Sequence, residues 1–487
     1  MRYIVLPEIL SRPIHQRMNM FNFGFDDYDD FPDDGRLEEL AARFEDATAS
    51  SWFDSDTLEE IATFYFERGR FDESLRVVDR LLEMQPYSSD AWMRRGILLN
   101  NMSRHEEALD AYDKALELNP TDVETLVNRG ITLDSLDRTE EALAAYDDAM
   151  RIDPNNDETL FNHGVTLERL NRIQEAVSVF ERCAEINPEH PEVWYELGFC
   201  HDRLDRVEDS IASYDRHLDI DPYSNDAWYN RGIVLNRMGK YREAVESYDM
   251  AIVIAEEFAS AHYNRGNALA NLGDLRGAIA AYKRVIEIEG PDAATAYNIA
   301  LAFEELKLYD SAIHYFEMAI EADDSYAEAW YGLGCTFDAL ERFEEALAFF
   351  NRAVVLNPDT PDFWYAKADC AYNLGRLAES INAYRTVVSI SPENGEAWMD
   401  FAETLFEAGQ VEQALNAYRK ALDLKPDSAE TYFSQAKALF AMGQSEESIR
   451  SLKMAFRLDP QQRDEFPHVY PELYRDVNIR HLLGFDG

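Results

Sequence analysis

The feature of the sequence that most constrains its fold is a strict spacing of 34 residues between prolines. Prolines stand at positions 86, 120, 154, 188 and 222, and again at 358, 392, 426 and 460. The two sets are in phase, because four intervals of 34 residues separate position 222 from position 358. In this register, twelve units of 34 residues run without insertion from Ser55 to Gln462. A sustained period of this length predicts a repeat architecture in which each unit is one supersecondary element.

Within each unit, small and apolar residues recur with helical spacing at two places. The fourth, eighth and eleventh positions of the second unit are Trp92, Gly96 and Leu99, and its twentieth, twenty-fourth and twenty-seventh positions are Ala108, Tyr112 and Ala115. A spacing of i, i+4 and i+7 places side chains on one face of an α-helix, so each unit is predicted to be a pair of helices. The fifteenth position, between the two helices, is glycine, asparagine or aspartate in most units. These residue types tolerate the left-handed backbone that ends a helix.

The tryptophan, glycine, alanine, aromatic, alanine and proline positions of these units closely resemble the tetratricopeptide repeat family. The resemblance covers about five-sixths of the chain and holds in unbroken phase. It implies an all-α fold, a right-handed superhelical solenoid of antiparallel helix pairs with a concave inner face and a convex outer face. It also implies that the chain holds peptides or whole proteins.

The two ends of the chain depart from the repeat. Residues 1–34 mix aromatic and acidic residues without a period, and we predict a disordered arm there. Residues 35–54 are predicted to form an N-terminal capping helix, and residues 463–487 a divergent C-terminal capping segment. Both ends are shorter than an independent catalytic domain. No phosphate-binding glycine loop, GxSxG or HExxH motif occurs in the chain, so we predict that the protein is not an enzyme.

Composition narrows the classes of partner. The chain has 94 acidic and 46 basic residues, a net charge of −48, which argues against nucleic acid or an anionic membrane as a partner. No apolar run is long enough to insert into a membrane. The four cysteines form no CxxC pair and no cluster with histidine, so neither a metal nor a cofactor is predicted. The predicted compartment is the cytoplasm, and the predicted partner is a protein or peptide.

The basic residues are 37 arginines and only nine lysines, outnumbered twofold by acidic residues. A surface of this kind is expected of a protein that works at high ionic strength. We therefore predict a halophilic source.

Three columns on the first helix of the repeats are candidates for the lining of the groove, because the resemblance places this face of the helix there. The fifth position is aromatic in seven successive units, namely Phe161, Tyr195, Tyr229, Tyr263, Tyr297, Tyr331 and Tyr365. The sixth position holds Asn128, Asn162, Asn230, Asn264 and Asn298. The thirteenth position holds Arg169, Arg203 and Arg237.

The chemistry of these columns suits a peptide. Tyrosine gives a large amphipathic contact at low entropic cost. An asparagine amide both donates and accepts, as a peptide backbone requires, and the column resembles the asparagine ladder of O-linked N-acetylglucosamine transferases. Arginines there would receive an acidic tail or carboxylate. In the alternative interpretation, the tyrosines pack against the neighbouring unit, the asparagines are ordinary family residues, and the arginines are solvated by chance.

The predicted function is therefore a non-catalytic scaffold or adaptor that binds an extended peptide or partner protein in a concave groove. One alternative is an assembly or regulatory subunit that engages a folded partner on the convex face. Another, suggested by the asparagine column, is a non-catalytic subunit of a transferase complex. A further hypothesis is that the acidic and aromatic residues 21–34 occupy the groove in cis, against the three arginines.

Overall fold

Within each of two compact units, helical hairpins stack one after another. A computed structural model describes residues 34–45 and 53–485, and these residues contain no β-strand. They form two compact units, which we call the N-terminal unit (34–45 and 53–268) and the C-terminal unit (269–485). The all-α fold predicted from the sequence is confirmed.

The N-terminal unit begins with a single helix and continues with helix pairs. Its helices are α1 (Asp34–Glu45), α2 (Ser55–Glu67), α3 (Phe71–Met84), α4 (Ser89–Asn101), α5 (His105–Leu118), α6 (Val123–Ser135), α7 (Thr139–Ile152), α8 (Asp157–Arg169), α9 (Ile173–Ile186), α10 (Val193–Arg203), α11 (Val207–Ile220), α12 (Asn225–Arg237), α13 (Tyr241–Ile254) and the start of α14 (Ala259–Asn271).

The C-terminal unit continues the same pattern and ends in three shorter helices. After the end of α14 it contains α15 (Leu275–Glu289), α16 (Ala293–Glu305), α17 (Tyr309–Ala322), α18 (Ala327–Ala339), α19 (Phe343–Leu356), α20 (Pro361–Asn373), α21 (Leu377–Ile390), α22 (Gly395–Glu407), α23 (Val411–Leu424), α24 (Ala429–Ala441), α25 (Ser445–Leu458), α26 (Gln461–Val469), α27 (Pro471–Arg475) and α28 (Val477–Leu483).

Local sequence explains where the first helix begins in several of the repeats. A Ser, Asn or Asp side chain before the helix accepts a hydrogen bond from a backbone N–H of the first turn, as when Asn156 Oδ1 accepts from Thr159 N at 2.7 Å. Such caps satisfy donors that have no partner within the helix. The fourth-position tryptophan fixes the link from the preceding repeat, because Trp228 Nε1 donates to the backbone oxygen of Pro222 at 3.0 Å. Trp330 donates in the same way to the oxygen of Asp324, at 3.0 Å, where the proline is lost.

The turn between the two helices of a repeat adopts one backbone conformation throughout. The fifteenth residue has a positive φ in all twelve repeats, at Gly69, Ser103, Asp137, Asn171, Asp205, Gly239, Gly273, Lys307, Glu341, Gly375, Gly409 and Gly443. The left-handed turn predicted from the glycines and asparagine is therefore present, and it also occurs where lysine and glutamate give no such signal. A left-handed residue with a Cβ is strained by roughly 1 kcal/mol.

We expect Glu341→Gly to raise the free energy of unfolding by about 0.5–1 kcal/mol, because glycine adopts the φ of 58° at this position without strain. Urea unfolding followed by circular dichroism measures the change. The matched control is Glu317→Gly, since Glu317 is exposed within α17, where glycine lowers helix stability by about 1 kcal/mol. Two variants that shift stability in the same direction would contradict this account of the turn.

The core of each hairpin forms where a small residue at the eighth position meets an aromatic ring at the twenty-fourth. Tyr112, Tyr146 and Phe180 are fully buried. A Cβ added at Gly96, Gly130 or Gly164 would lie 2.4 Å from the nearest atom of the facing ring. The absence of a side chain at these glycines is therefore what lets the two helices approach.

The division of the chain at its ends stays a prediction. Helix α1 lies within the region predicted as the N-terminal cap, and Tyr65 donates a hydrogen bond to the backbone oxygen of Ala41 at 3.3 Å. Helices α26 to α28 cover the C-terminal end, where Phe466 is fully buried and its ring stacks on Phe485. The predicted arm, apart from Asp34, and its docking in cis lie outside the described residues.

Candidate binding surface

The fifth-position aromatic residues lie where successive repeats meet. Tyr195, Tyr229, Tyr263 and Tyr297 are buried, whereas Phe161, Tyr331 and Tyr365 are half-buried. Rings of this column contact an aromatic residue in the link to the next repeat or in its first turn. The centroid distances are 4.6 Å from Phe161 to His190, 4.7 Å from Tyr229 to Phe258 and 4.8 Å from Tyr331 to Phe363. The column therefore contributes to the packing of one repeat on the next.

The sixth-position asparagines are buried, and two of them bond to tyrosines of the fifth position. Asn128, Asn162, Asn230, Asn264 and Asn298 are at most 8% exposed. Asn230 Nδ2 donates to Tyr195 Oη at 2.9 Å, and Asn264 Nδ2 donates to Tyr229 Oη at 3.0 Å, in each case in the preceding repeat. In the C-terminal unit, the Tyr365 hydroxyl donates to the carboxylate of Asp400, which takes the sixth position there. At these three pairs the two columns that the sequence suggests separately are joined by hydrogen bonds, and we call this the tyrosine and asparagine ladder. Their role in peptide binding stays a prediction.

The three arginines of the thirteenth position lie at the ends of their helices and reach back to the preceding repeat. Arg169 Nη2 lies 3.0 Å from Asp137 Oδ1, and its Nη1 lies 3.3 Å from Asp134 Oδ1. Arg237 pairs with Asp202. Arg203 differs, because its Nη2 donates at 2.8 Å to the amide oxygen of Asn171. Two arginines of the column therefore have intramolecular carboxylate partners, and Arg203 has an amide.

Half-buried carboxylates on the first helices are the functional groups that sequence reasoning missed. Burial, as the main cause, raises the pKa of the half-buried Glu124, Glu304, Asp338, Asp369, Asp400 and Glu403, and of the more deeply buried Asp134. The pKa rises to about 7 for Glu124 and Glu304 and to about 6 for Asp369. Glu124 takes the second position of its unit, where an acidic residue is expected to complement the helix dipole and so gives no separate signal of a binding site. The ninth and twelfth positions, which hold most of the others, alternate between acidic, amide and apolar residues and give no periodic signal.

These carboxylates predict how stability depends on pH. Glu304 in the unfolded chain titrates near its usual 4.5, whereas in the folded chain its pKa is about 7. Between these values the folded state binds more protons, so its stability falls as pH rises. We expect Glu304→Gln to raise the free energy of unfolding by about 1–2 kcal/mol at pH 8, after allowance for solvent screening, and to have little effect at pH 4.

Thermal unfolding at several pH values measures this difference. The control is Glu317→Gln on the exposed side of α17, which should change stability little at either pH. A Glu304→Gln variant with the same pH dependence as the parent would contradict the assignment.

The structure offers no assembled metal centre or membrane-spanning helix in the part of the chain that it describes. Among these residues, no group of three or more His, Cys, Asp or Glu side chains is placed to hold a metal ion. None of the helices in the same residues is long and apolar enough to cross a membrane.

Comparison with known families agrees with this architecture. Residues 222–468, just over half of the chain, match the family model described as the C-terminal domain of cilia and flagella-associated protein 70. Three tetratricopeptide repeat models match residues 89–122, 111–144 and 161–225. The chain therefore belongs to the tetratricopeptide repeat family, and residues 222–468 belong to the family of that C-terminal domain. No match was found among curated proteins.

Solved structures also resemble parts of the chain. The crystal structure of YrrB, titled a TPR protein with an unusual peptide-binding site, is 24% identical, covers 39% of this chain and 97% of its own, and has a TM-score of 0.36. A MamA structure is 25% identical over 33% of this chain and 94% of its own, with a TM-score of 0.32. The Cut9–Hcn1 complex of the APC/C is 12% identical over 92% of this chain and 98% of its own, with a TM-score of 0.36.

Proposed function

We propose that the chain is a non-catalytic scaffold that binds an extended peptide or partner protein along the face formed by the first helices of its repeats. Membership of the tetratricopeptide repeat family supports a role in protein interaction. The observation that carries the proposal is the concentration of buried and half-buried polar groups on the first helices, where packing alone would favour apolar side chains.

The arrangement of the helices indicates which side of each unit is the inner one. In the N-terminal unit, α4 touches α6, α6 touches α8, α8 touches α10 and α10 touches α12. In the C-terminal unit, α16 touches α18, α18 touches α20 and α22 touches α24. Second helices touch one another less closely. First helices that crowd together lie on the inner side of the stack, which supports the proposed groove within each unit.

The tyrosine and asparagine ladder supplies the means of holding a peptide on this side. Asn264 donates to the Tyr229 hydroxyl through its NH₂ group, and an asparagine amide also has an oxygen that can accept a hydrogen bond. Half-buried rings such as Tyr331 and Tyr365 keep part of their surface open to a ligand. The asparagine column also supports a second candidate function, that of a non-catalytic subunit in a transferase complex. Co-purification of the chain with an enzyme would favour this function.

A pulldown with chemical crosslinking from the native lysate tests the proposal. Ala366, in the sixth position of α20, is half-buried on the proposed binding face, whereas Val355 on the second helix α19 is 69% exposed. We expect Ala366→Arg to lose the captured partner and Val355→Arg to retain it, because an added arginine blocks only the face that binds. The opposite result would contradict groove binding and favour the convex face.

A further inference from the structure

A pocket of about 490 Å³ lies in the N-terminal unit, where the turn of one repeat meets that of the next. Asn171, Arg172 and Gln174, from the turn between α8 and α9 and the start of α9, form one side. Arg203, at the end of α10, lines the pocket from the following repeat. Arg206 lies beside it, because its Nη2 donates to Gln174 Oε1 at 3.1 Å.

At the neighbouring junctions of this unit, the thirteenth-position arginine faces a carboxylate at the fifteenth position of the preceding repeat. Arg169 Nη2 lies 3.0 Å from Asp137 Oδ1, and Arg237 Nη2 lies 3.9 Å from Asp205 Oδ1. At the pocket the same register places Asn171 opposite Arg203. One carboxylate of the repeating pattern is therefore replaced by an amide.

A second carboxylate is missing at the same junction. Arg138, at the sixteenth position two repeats earlier, lies 3.6 Å from Glu106 at the eighteenth position of its preceding repeat. The equivalent partner of Arg206 is Gln174. Arg138 also pairs at 2.7 Å with Glu141 on its own helix, whereas the matching residue for Arg206 is the shorter Asp209, which makes no ion pair with it among the described residues.

The side chains that remain at the pocket offer mainly donors. The amide oxygens of Asn171 and Gln174 already accept from the two arginines, so each amide contributes its NH₂ group. The guanidinium groups of Arg203 and Arg206 each keep further N–H groups. The one acid in the lining, Glu175, is engaged by Arg172 through two hydrogen bonds of 2.8 Å, which also lower its pKa.

We propose that this pocket binds two carboxylates from an acidic segment of a partner protein. These carboxylates take the places of the two acidic side chains that other junctions have and that Asn171 and Gln174 replace here. The inference rests on the proposed scaffold function and adds a ligand chemistry to it. Arginine pairs well with carboxylates because its planar fork can donate two parallel hydrogen bonds. The net charge of −48 repels such a ligand at long range, and salt near 0.1 M confines that repulsion to about 10 Å.

The test uses the full chain and a fluorescein-labelled synthetic peptide with two glutamates in a glycine–serine background, followed by fluorescence anisotropy at about 0.1 M salt. We expect saturable binding that weakens at least about tenfold in the Arg203→Gln, Arg206→Gln double variant. The Asn171→Asp, Gln174→Glu double variant keeps both arginines but restores the missing carboxylates, and it should weaken binding to the same extent. Arg138→Gln is the matched control and should bind as the parent does.

Two outcomes would overturn the proposal. In the first, the peptide does not bind the parent, or it binds both double variants as tightly as it binds the parent. The other is displacement of the peptide by inorganic phosphate at equal concentration, which would assign the pocket to phosphate. Circular dichroism verifies that each variant is folded. Neither outcome bears on capture of a partner through the face that carries Ala366, so failure here is distinguishable from failure of the scaffold proposal.

Discussion

Replacing Gly130 by leucine is expected to lower the free energy of unfolding by about 3 kcal/mol. Even a Cβ at this position would lie 2.4 Å from Cε1 of Tyr146, whose ring is fully buried. The larger side chain must therefore push α6 and α7 apart, and the effect should spread to the neighbouring hairpins because each repeat is supported by its neighbours. Urea unfolding followed by circular dichroism measures the loss.

A double variant controls for this effect. Removing the facing ring with Tyr146→Ala makes room for the new side chain, so Gly130→Leu should cost much less in that background than in the parent. The two changes would then be strongly non-additive. A Gly130→Leu variant as stable as the parent, or one whose cost is unchanged by Tyr146→Ala, would contradict the close approach of the two helices.

Salt is expected to raise the thermal unfolding midpoint by roughly 5 °C or more between low and molar sodium chloride. The net charge of −48 makes the folded chain repel itself, and screening relieves that repulsion. Surface ion pairs such as Arg138 with Glu141 act in the opposite direction but contribute little each. Differential scanning calorimetry in sodium chloride and in sucrose separates screening from general solute effects. A flat or falling midpoint in salt would refute the proposed halophilic character.

Much of the fold follows from the sequence because the 34-residue period places similar residue types at the helix ends and turns of successive repeats. The proline interval fixes where the helices of a repeat begin and end, and the glycines predict the left-handed turn between them. Lys307 and Glu341 adopt that turn without a sequence signal. At these two positions the packing of the helix pair imposes a conformation that local preference alone would not choose.

The candidate site is only partly predictable from the sequence, because its chemistry depends on contacts between repeats. Asn230 is identifiable as part of a column, but its bond to Tyr195 requires the offset that stacking creates. Arg203 looks like Arg169 in its own column, but Arg169 pairs with Asp137 and Asp134 of the preceding repeat, whereas Arg203 bonds to Asn171. The raised pKa of Glu304 depends on burial of its side chain in the stack. The sequence does not reveal this burial, because the residue type at the twelfth position varies from one repeat to the next.

Site-specific photocrosslinking in the native lysate distinguishes a partner that binds to the first helices from one that binds to the second helices. Tyr331 on the first helix α18 and Tyr315 on the second helix α17 are both half-buried tyrosines of the C-terminal unit, so a benzoylphenylalanine at each makes a matched pair. If partners bind to the first helices, we expect the partner to be crosslinked from position 331 and not from position 315. Crosslinking from position 315 alone would contradict it and assign binding to the second helices.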